Sequence, residues 1–172
     1  VLEQASTIWW WAQGLGAFSM LVGWWANAQR DDQRLLRGNL VAAGLTALHL
    51  GLLGSPLGMT NQLVNAGRFA LAQHWRHWSL ALGFAVAALV QGALMASHWS
   101  EWCVVAAAVL SSVLLFQVQG RALRWGLLLC NALNLTLSVT LGSLSGILYQ
   151  CVTMALLLQS LLATSQPQPQ RS

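Results

Sequence analysis

The sequence predicts an all-α polytopic membrane protein of seven transmembrane helices, built as two parallel three-helix repeats joined by a linker helix (3+1+3). Three observations carry that prediction. The 172 residues are 56% hydrophobic and 7% charged, against about 25% charged in a typical soluble domain, so the chain cannot cover a water-facing surface. Its basic residues, all Arg, fall on one side of a seven-span topology. Two stretches nearly rhyme: GSPLGMTNQ, Gly54 to Gln62, and GSLSGILYQ, Gly142 to Gln150, 88 residues apart.

The apolar segments follow one another almost end to end. Segment one, Ile8 to Ala28, follows a polar start with Glu3. It has no positive region before it and no clear cleavage site, and is read as a retained span. Segment two, Leu35 to Leu53, follows the joint RDDQRLLR. Segment three, Pro56 to Gln73, opens on a proline, whose missing N–H costs nothing in a first helical turn. Segment four is Trp78 to Ala96, five Trp102 to Val118, six Leu123 to Leu141 and seven Leu144 to Leu162. The runs are continuous and rich in Leu, Ala and Gly, unlike the alternating strands of a membrane barrel. The tail SQPQPQRS is expected to be disordered.

With the N-terminus outside, the inner joints hold Arg30, Arg34, Arg37, Arg76, Arg121, Arg124 and Arg171, and Arg68 lies in the inner half of segment three. The outer side holds Glu3 and Glu101 and no Arg. This is the positive-inside pattern, and it supports an odd number of spans. The ten Trp cluster at segment ends, as indoles do at the headgroup level. Trp24 and Trp25 are the candidates for stacking on a ligand.

The rhyme extends backward to RLLR (Arg34 to Arg37) and RALR (Arg121 to Arg124), which are 87 residues apart, so the repeat tolerates a single-residue shift. Residues 1–77 then form one three-helix repeat, 78–98 the linker helix, 99–163 the second repeat and 164–172 the tail. A single linker span gives both halves the same orientation, about a pseudo-two-fold axis along the membrane normal. The glycine pairs Gly54/Gly58 and Gly142/Gly146 are expected to make tight reversals and close helix approaches.

Polar side chains inside a bilayer need partners or water and so mark a bundle interior. In segment three Asn61, Asn65 and Arg68 share one helical stripe, with Gln62 beside it. Segment six carries Asn131, Asn134 and Ser138, segment seven Gln150, Thr153 and Ser160, and segment two Asn39, Thr46 and His49; Gln91, Ser111 and Ser112 add to the set. The candidate ligand-binding residues are Asn65, Asn134, Gln150, Thr153, Asn61, His49 and Arg68. The competing reading makes the amides structural glue between helices. For Arg68 the alternatives are snorkelling to the inner interface or attracting an anionic solute.

Several chemistries are not indicated. No Asp or Glu lies within a segment, which disfavours proton-coupled transport and favours facilitated diffusion; His49 keeps a proton-linked route open. His74 and His77 in HWRH have no Cys or acid beside them and are read as an interfacial helix start, not a metal site. Cys103, Cys130 and Cys151 form no CxxC pair and read as small membrane-buried hydrophobes. There is no phosphate-binding loop, no selectivity filter, and no basic face for nucleic acid. No enzyme activity, metal or cofactor is expected.

The stretches WAQGLG, RDDQRLLR and LVNAGR resemble the bacterial inner membrane protein YgjV family, over nearly the whole transmembrane region. The resemblance implies inner-membrane placement and no particular mechanism. The 3+1+3 layout looks like the SWEET and PQ-loop group, which includes sugar and amino-acid carriers, although the Pro-Gln dipeptide is absent from segments one and five. The expected function is facilitated transport of a small polar solute across the inner membrane, with the N-terminus periplasmic and the C-terminus cytoplasmic. The alternative is a non-transporting receptor or assembly factor. Expected partners are membrane lipids and the solute, with a second copy of the chain or another inner-membrane protein left open, and no nucleic acid.

Overall fold

The computed structural model describes residues 2–54, 56–96, 98–140 and 144–163. Among them the chain forms seven α-helices: α1 Leu2–Asn27, α2 Asp32–Leu52, α3 Pro56–His74, α4 Trp78–Met95, α5 Trp99–Gln117, α6 Gly120–Thr140 and α7 Leu144–Ala163. The shortest, at 18 residues, spans about 27 Å, close to the ~30 Å of a hydrocarbon core. The tail and the Gly142 turn of the second rhyme lie outside the described residues.

Four helices, α1, α2, α5 and α6, start earlier than the hydropathy pattern predicts, and capping explains two of them: ahead of α2 the Asp31 carboxylate accepts the Gln33 N–H at 3.2 Å. Residue 98 caps α5: the Glu101 carboxylate accepts the His98 N–H at 3.0 Å, so Trp99 to Trp102 is a first helical turn rather than a joint. The early start of α6 rests on Gly120. Its φ of +61° is a left-handed conformation that costs an L side chain about 1–2 kcal/mol. That conformation accompanies a hydrogen bond from its N–H to Asp32 Oδ2, 2.6 Å away. Gly54, φ +75°, follows α2 and donates its N–H to Gly51 O at 3.0 Å.

Five helices, α2, α4, α5, α6 and α7, are long and apolar enough to cross a membrane. α1 carries five of the ten indoles, and α3 carries Asn61, Gln62, Asn65 and Arg68. The polar side of α3 is turned inward, as described below, so its composition reflects the interior it faces. The outer surface is apolar: Leu94 is 80% exposed and Leu162 72%, values that suit lipid rather than water. All the Trp except Trp24 are exposed, in keeping with anchoring at the interface.

α2 lies between α1 and α3, and α6 between α5 and α7. The two trios meet where α1 touches α7 and α3 touches α5, while α4 rests on α5. The joints rich in Arg gather at one end of the bundle. There Gln33 Nε2 reaches Gln73 O at 3.4 Å, and Arg76 donates to Val118 O at 3.4 Å. Gln119, its amide oxygen oriented toward Arg76, accepts from Nε and Nη2 at 3.1 Å. Arg124 is 2% exposed; it pairs with Asp32 at 2.6 Å and also donates to the carbonyls of Gln29, Arg30 and Gly120. An apolar core that includes Leu35, Leu36, Leu115, Phe116, Leu123 and Leu157 fills the bundle toward that same end.

Candidate functional site

Toward the other end the bundle is hollow. A cavity of about 920 Å³ takes lining residues from all seven helices. It runs from Met95, Glu101 and Gly146, near the end opposite the Arg joints, to Asn27, Asn39 and Leu127, short of the Asp32–Arg124 pair. Its size lies at the upper limit of small-ligand pockets, roughly 300–1,000 Å³. The lining residues Asn61, Val64 and Ala87 are exposed on the bundle surface. The cavity therefore also opens sideways between α3 and α4, where Gln91 donates to Asn61 Oδ1 at 2.5 Å.

Six of the seven residues proposed from the sequence line this space: Asn61, Asn65, Arg68, Asn134, Gln150 and Thr153. His49 does not. Its Nδ1 lies 2.7 Å from Ala12 O, and its ring packs where a Cβ on Gly16 would stand, 2.9 Å from Cε1. Gly16 leaves α1 the space that the imidazole fills, so the outer part of the α2 stripe belongs to a helix seam. Asn39 and Thr46 on the same stripe do reach the lining.

The lining falls into two kinds. On α1 and α2 the polar groups bond to each other and to the backbone. Ser19 donates to Ala42 O at 2.7 Å and lies 2.5 Å from Thr46 Oγ1; Asn27 donates to Gly23 O at 2.8 Å, and Asn39 to Leu35 O at 2.9 Å. These act as glue. On α3, α6 and α7, among the described residues, the side-chain amides of Asn65 and Asn134 have no hydrogen-bond partner, and Gln150 Oε1 is buried without one. A buried amide oxygen left unbonded, as Gln150 Oε1 is, costs free energy until water or a ligand completes it, and the half-buried Asn65 and Asn134 amides face the same cavity open to such partners.

Arg68 does not snorkel. It is 8% exposed; its Nη1 donates to Ser111 Oγ at 2.9 Å and Ala108 O at 3.4 Å, and its guanidinium lies 5.6 Å from the Phe84 ring centre. α5 and α4 hold it inside the bundle. Trp24 stacks on Tyr149 at 6.2 Å and lies outside the lining, while Trp25 is exposed. Of the free cysteines, Cys130 is buried against the cavity and Cys151 is exposed to the outside of the bundle.

Sequence reasoning missed Ser19, Asn27, Phe84 and Tyr149 as lining residues. Ser19, Gly23 and Asn27 recur every four residues on α1, a spacing that marks one helical face. Tyr149 lies 88 positions after Asn61, the offset of the rhyme. Phe84 gave no signal apart from its apolarity.

An all-helical bundle with an apolar exterior, five span-length helices and a polar interior defines a polytopic membrane protein. The chain matches the bacterial inner membrane protein family Imp-YgjV over residues 10–166. It belongs to that family, and it is an inner-membrane protein with several membrane-spanning helices. No curated protein and no solved structure matches the chain.

Proposed function

We propose that the protein is a facilitative carrier of a small polar solute across the bacterial inner membrane, not an enzyme. All seven helices cross the membrane in this reading. The observation that carries it is the cavity, in which Asn65, Asn134 and Gln150 present hydrogen-bonding groups that the protein leaves uncompleted.

The repeat supports a moving mechanism. Each lining residue of α2 has a lining counterpart 88 positions later on α6: Asn39 and Leu127, Ala42 and Cys130, Ala43 and Asn131, Thr46 and Asn134. The same offset relates Asn61 to Tyr149, Gln62 to Gln150 and Asn65 to Thr153 on α3 and α7, and Ser19 and Met20 to Ala107 and Ala108 on α1 and α5. The seam between α1 and α7 exchanges with that between α5 and α3 under this correspondence. Two like halves around one site can rock about it and expose it to either side.

The Arg-bearing end is cytoplasmic in this reading, by the positive-inside rule, and the N-terminus is periplasmic. The cavity then faces the periplasm, and the cytoplasmic end is shut by the apolar core and the Asp32–Arg124 pair.

The test is uptake into proteoliposomes of a panel of sugars, amino acids, nucleosides and small organic acids, with Asn65→Ala and Thr153→Ala beside the parent. Flux above protein-free liposomes that falls in both variants is expected. No flux of any solute would overturn the carrier reading; binding without flux would favour a receptor.

A further inference from the structure

The cavity contains a charge that the protein does not neutralise. Arg68 is nearly fully buried, yet no carboxylate among the described residues pairs with it. Asp32 is bound to Arg124 and Asp31 lies beside Arg34, both at the Arg-bearing end. Glu101 lines the outer part of the cavity and accepts from the His98 N–H. The polar contacts of Arg68 are a hydroxyl and a carbonyl, both through Nη1, and its Nε is buried with no partner at all.

A buried cation without a counter-charge is costly, because partial dipoles replace only part of its hydration. In membrane proteins such residues commonly serve a ligand or a transport path. Arginine also offers a planar fork suited to a carboxylate, which a second donor such as Nε would complete. The same cavity is lined by Asn65, Asn134 and Gln150, uncharged amides able to hold the remaining polar groups of a bound molecule.

From this we infer that the cavity binds a small organic monoanion, with its carboxylate on Arg68. The inference rests on the cavity being a solute site. One negative charge is favoured over two because Arg68 has no counterpart: 88 positions on stands Leu156, and among the described residues the only other charged one in the lining is the acidic Glu101. A dianion would carry surplus charge into a low-dielectric interior. The carboxylate could arrive in water from the open end or on a fatty acid through the gap between α3 and α4; both present the same headgroup.

The experiment is thermal unfolding and calorimetric binding on the purified full-length chain in a neutral detergent. The probes are lactate and octanoate, each beside its neutral amide, lactamide and octanamide. At least one acid is expected to stabilise the protein in a dose-dependent way, with its amide roughly 10- to 100-fold weaker. Arg68→Gln should remove the difference between acid and amide, and Arg68→Lys should keep part of it. Binding of lactate assigns an aqueous ligand, and binding of octanoate alone assigns a membrane-borne one. The acid–amide comparison uses the unaltered chain, so it stands even if a variant fails to fold.

Equal binding of acid and amide, unchanged acid binding in Arg68→Gln, or no binding of either acid at millimolar concentration would overturn the inference. Neutral solutes crossing proteoliposomes without acid binding would leave the carrier reading intact and remove the anion. Acid binding with no flux of any solute would do the reverse.

Discussion

Asp32→Asn tests what closes the Arg-bearing end. Asp32 Oδ1 accepts from Arg124 Nη1 at 2.6 Å, and Oδ2 accepts from the Gly120 N–H at 2.6 Å. The Arg124 side chain is 3% exposed and that of Asp32 20%, so the pair is shielded from solvent mainly on the Arg side. Breaking a fully buried pair from one side costs about 3–5 kcal/mol. Here the carbonyls of Gln29, Arg30 and Gly120 still solvate the guanidinium, and the new amide can still accept one bond. Those contacts, together with the partial exposure of Asp32, lower the expected loss to about 2 kcal/mol.

For a chain of this size each kcal/mol corresponds to about 2–4 °C in Tm, so Asp32→Asn should melt roughly 4–8 °C lower. Intrinsic Trp fluorescence in detergent reads the transition. Arg124→Gln and the double variant complete a cycle, and because the partners touch, the double should lose less than the sum of the singles. A Tm within about 1 °C of the parent, or full additivity, would refute the view that this pair holds α6 to the α1–α2 joint.

Two further outcomes follow from the packing. Gly120→Ala should lower stability by about 1–2 kcal/mol, because the left-handed φ that accompanies the N–H bond to Asp32 becomes strained; the same melts measure it. His49→Ala should cost about 1 kcal/mol through the lost bond to Ala12 O and leave solute binding unchanged, as calorimetry with any ligand of the cavity would test.

Much of the interior was legible in the sequence because helical spacing alone groups side chains on a face. Asn61, Asn65 and Arg68 had to share a stripe once α3 was a helix, and the apolar surroundings favoured the bundle interior for its amides. What the period could not supply was the neighbour. His49 and Thr46 look alike as polar residues on α2, yet one meets Gly16 of α1 and the other the cavity edge. The direction of Arg68 depended on Ser111 and Phe84, on helices whose relative rotation no local pattern fixes. The pairing of Asp32 with Arg124, 92 positions apart, was equally out of reach, since the charge pattern fixes which joints share an end and not which charges meet.

Thr46 and Asn134 carry the last prediction, because they stand 88 positions apart, the offset of the rhyme, and differ in what surrounds them. Thr46 Oγ1 donates to Ala42 O at 2.9 Å and lies 2.5 Å from Ser19 Oγ. Asn134 lines the same cavity with its amide uncompleted by any described residue. If one half is fastened by its polar groups while the other offers them to a ligand, the two substitutions must separate. Thr46→Val keeps the volume and should cost about 0.6 kcal/mol, the average for a hydrogen bond inside a membrane bundle, or roughly 1–2 °C in Tm, with ligand binding unchanged. Asn134→Ala breaks no bond within the protein, so its Tm should hold while binding weakens several-fold. Melting and calorimetry on the two variants decide the matter. Equal losses of stability would make Asn134 glue like Thr46, and equal losses of binding would bring α2 into the ligand's reach.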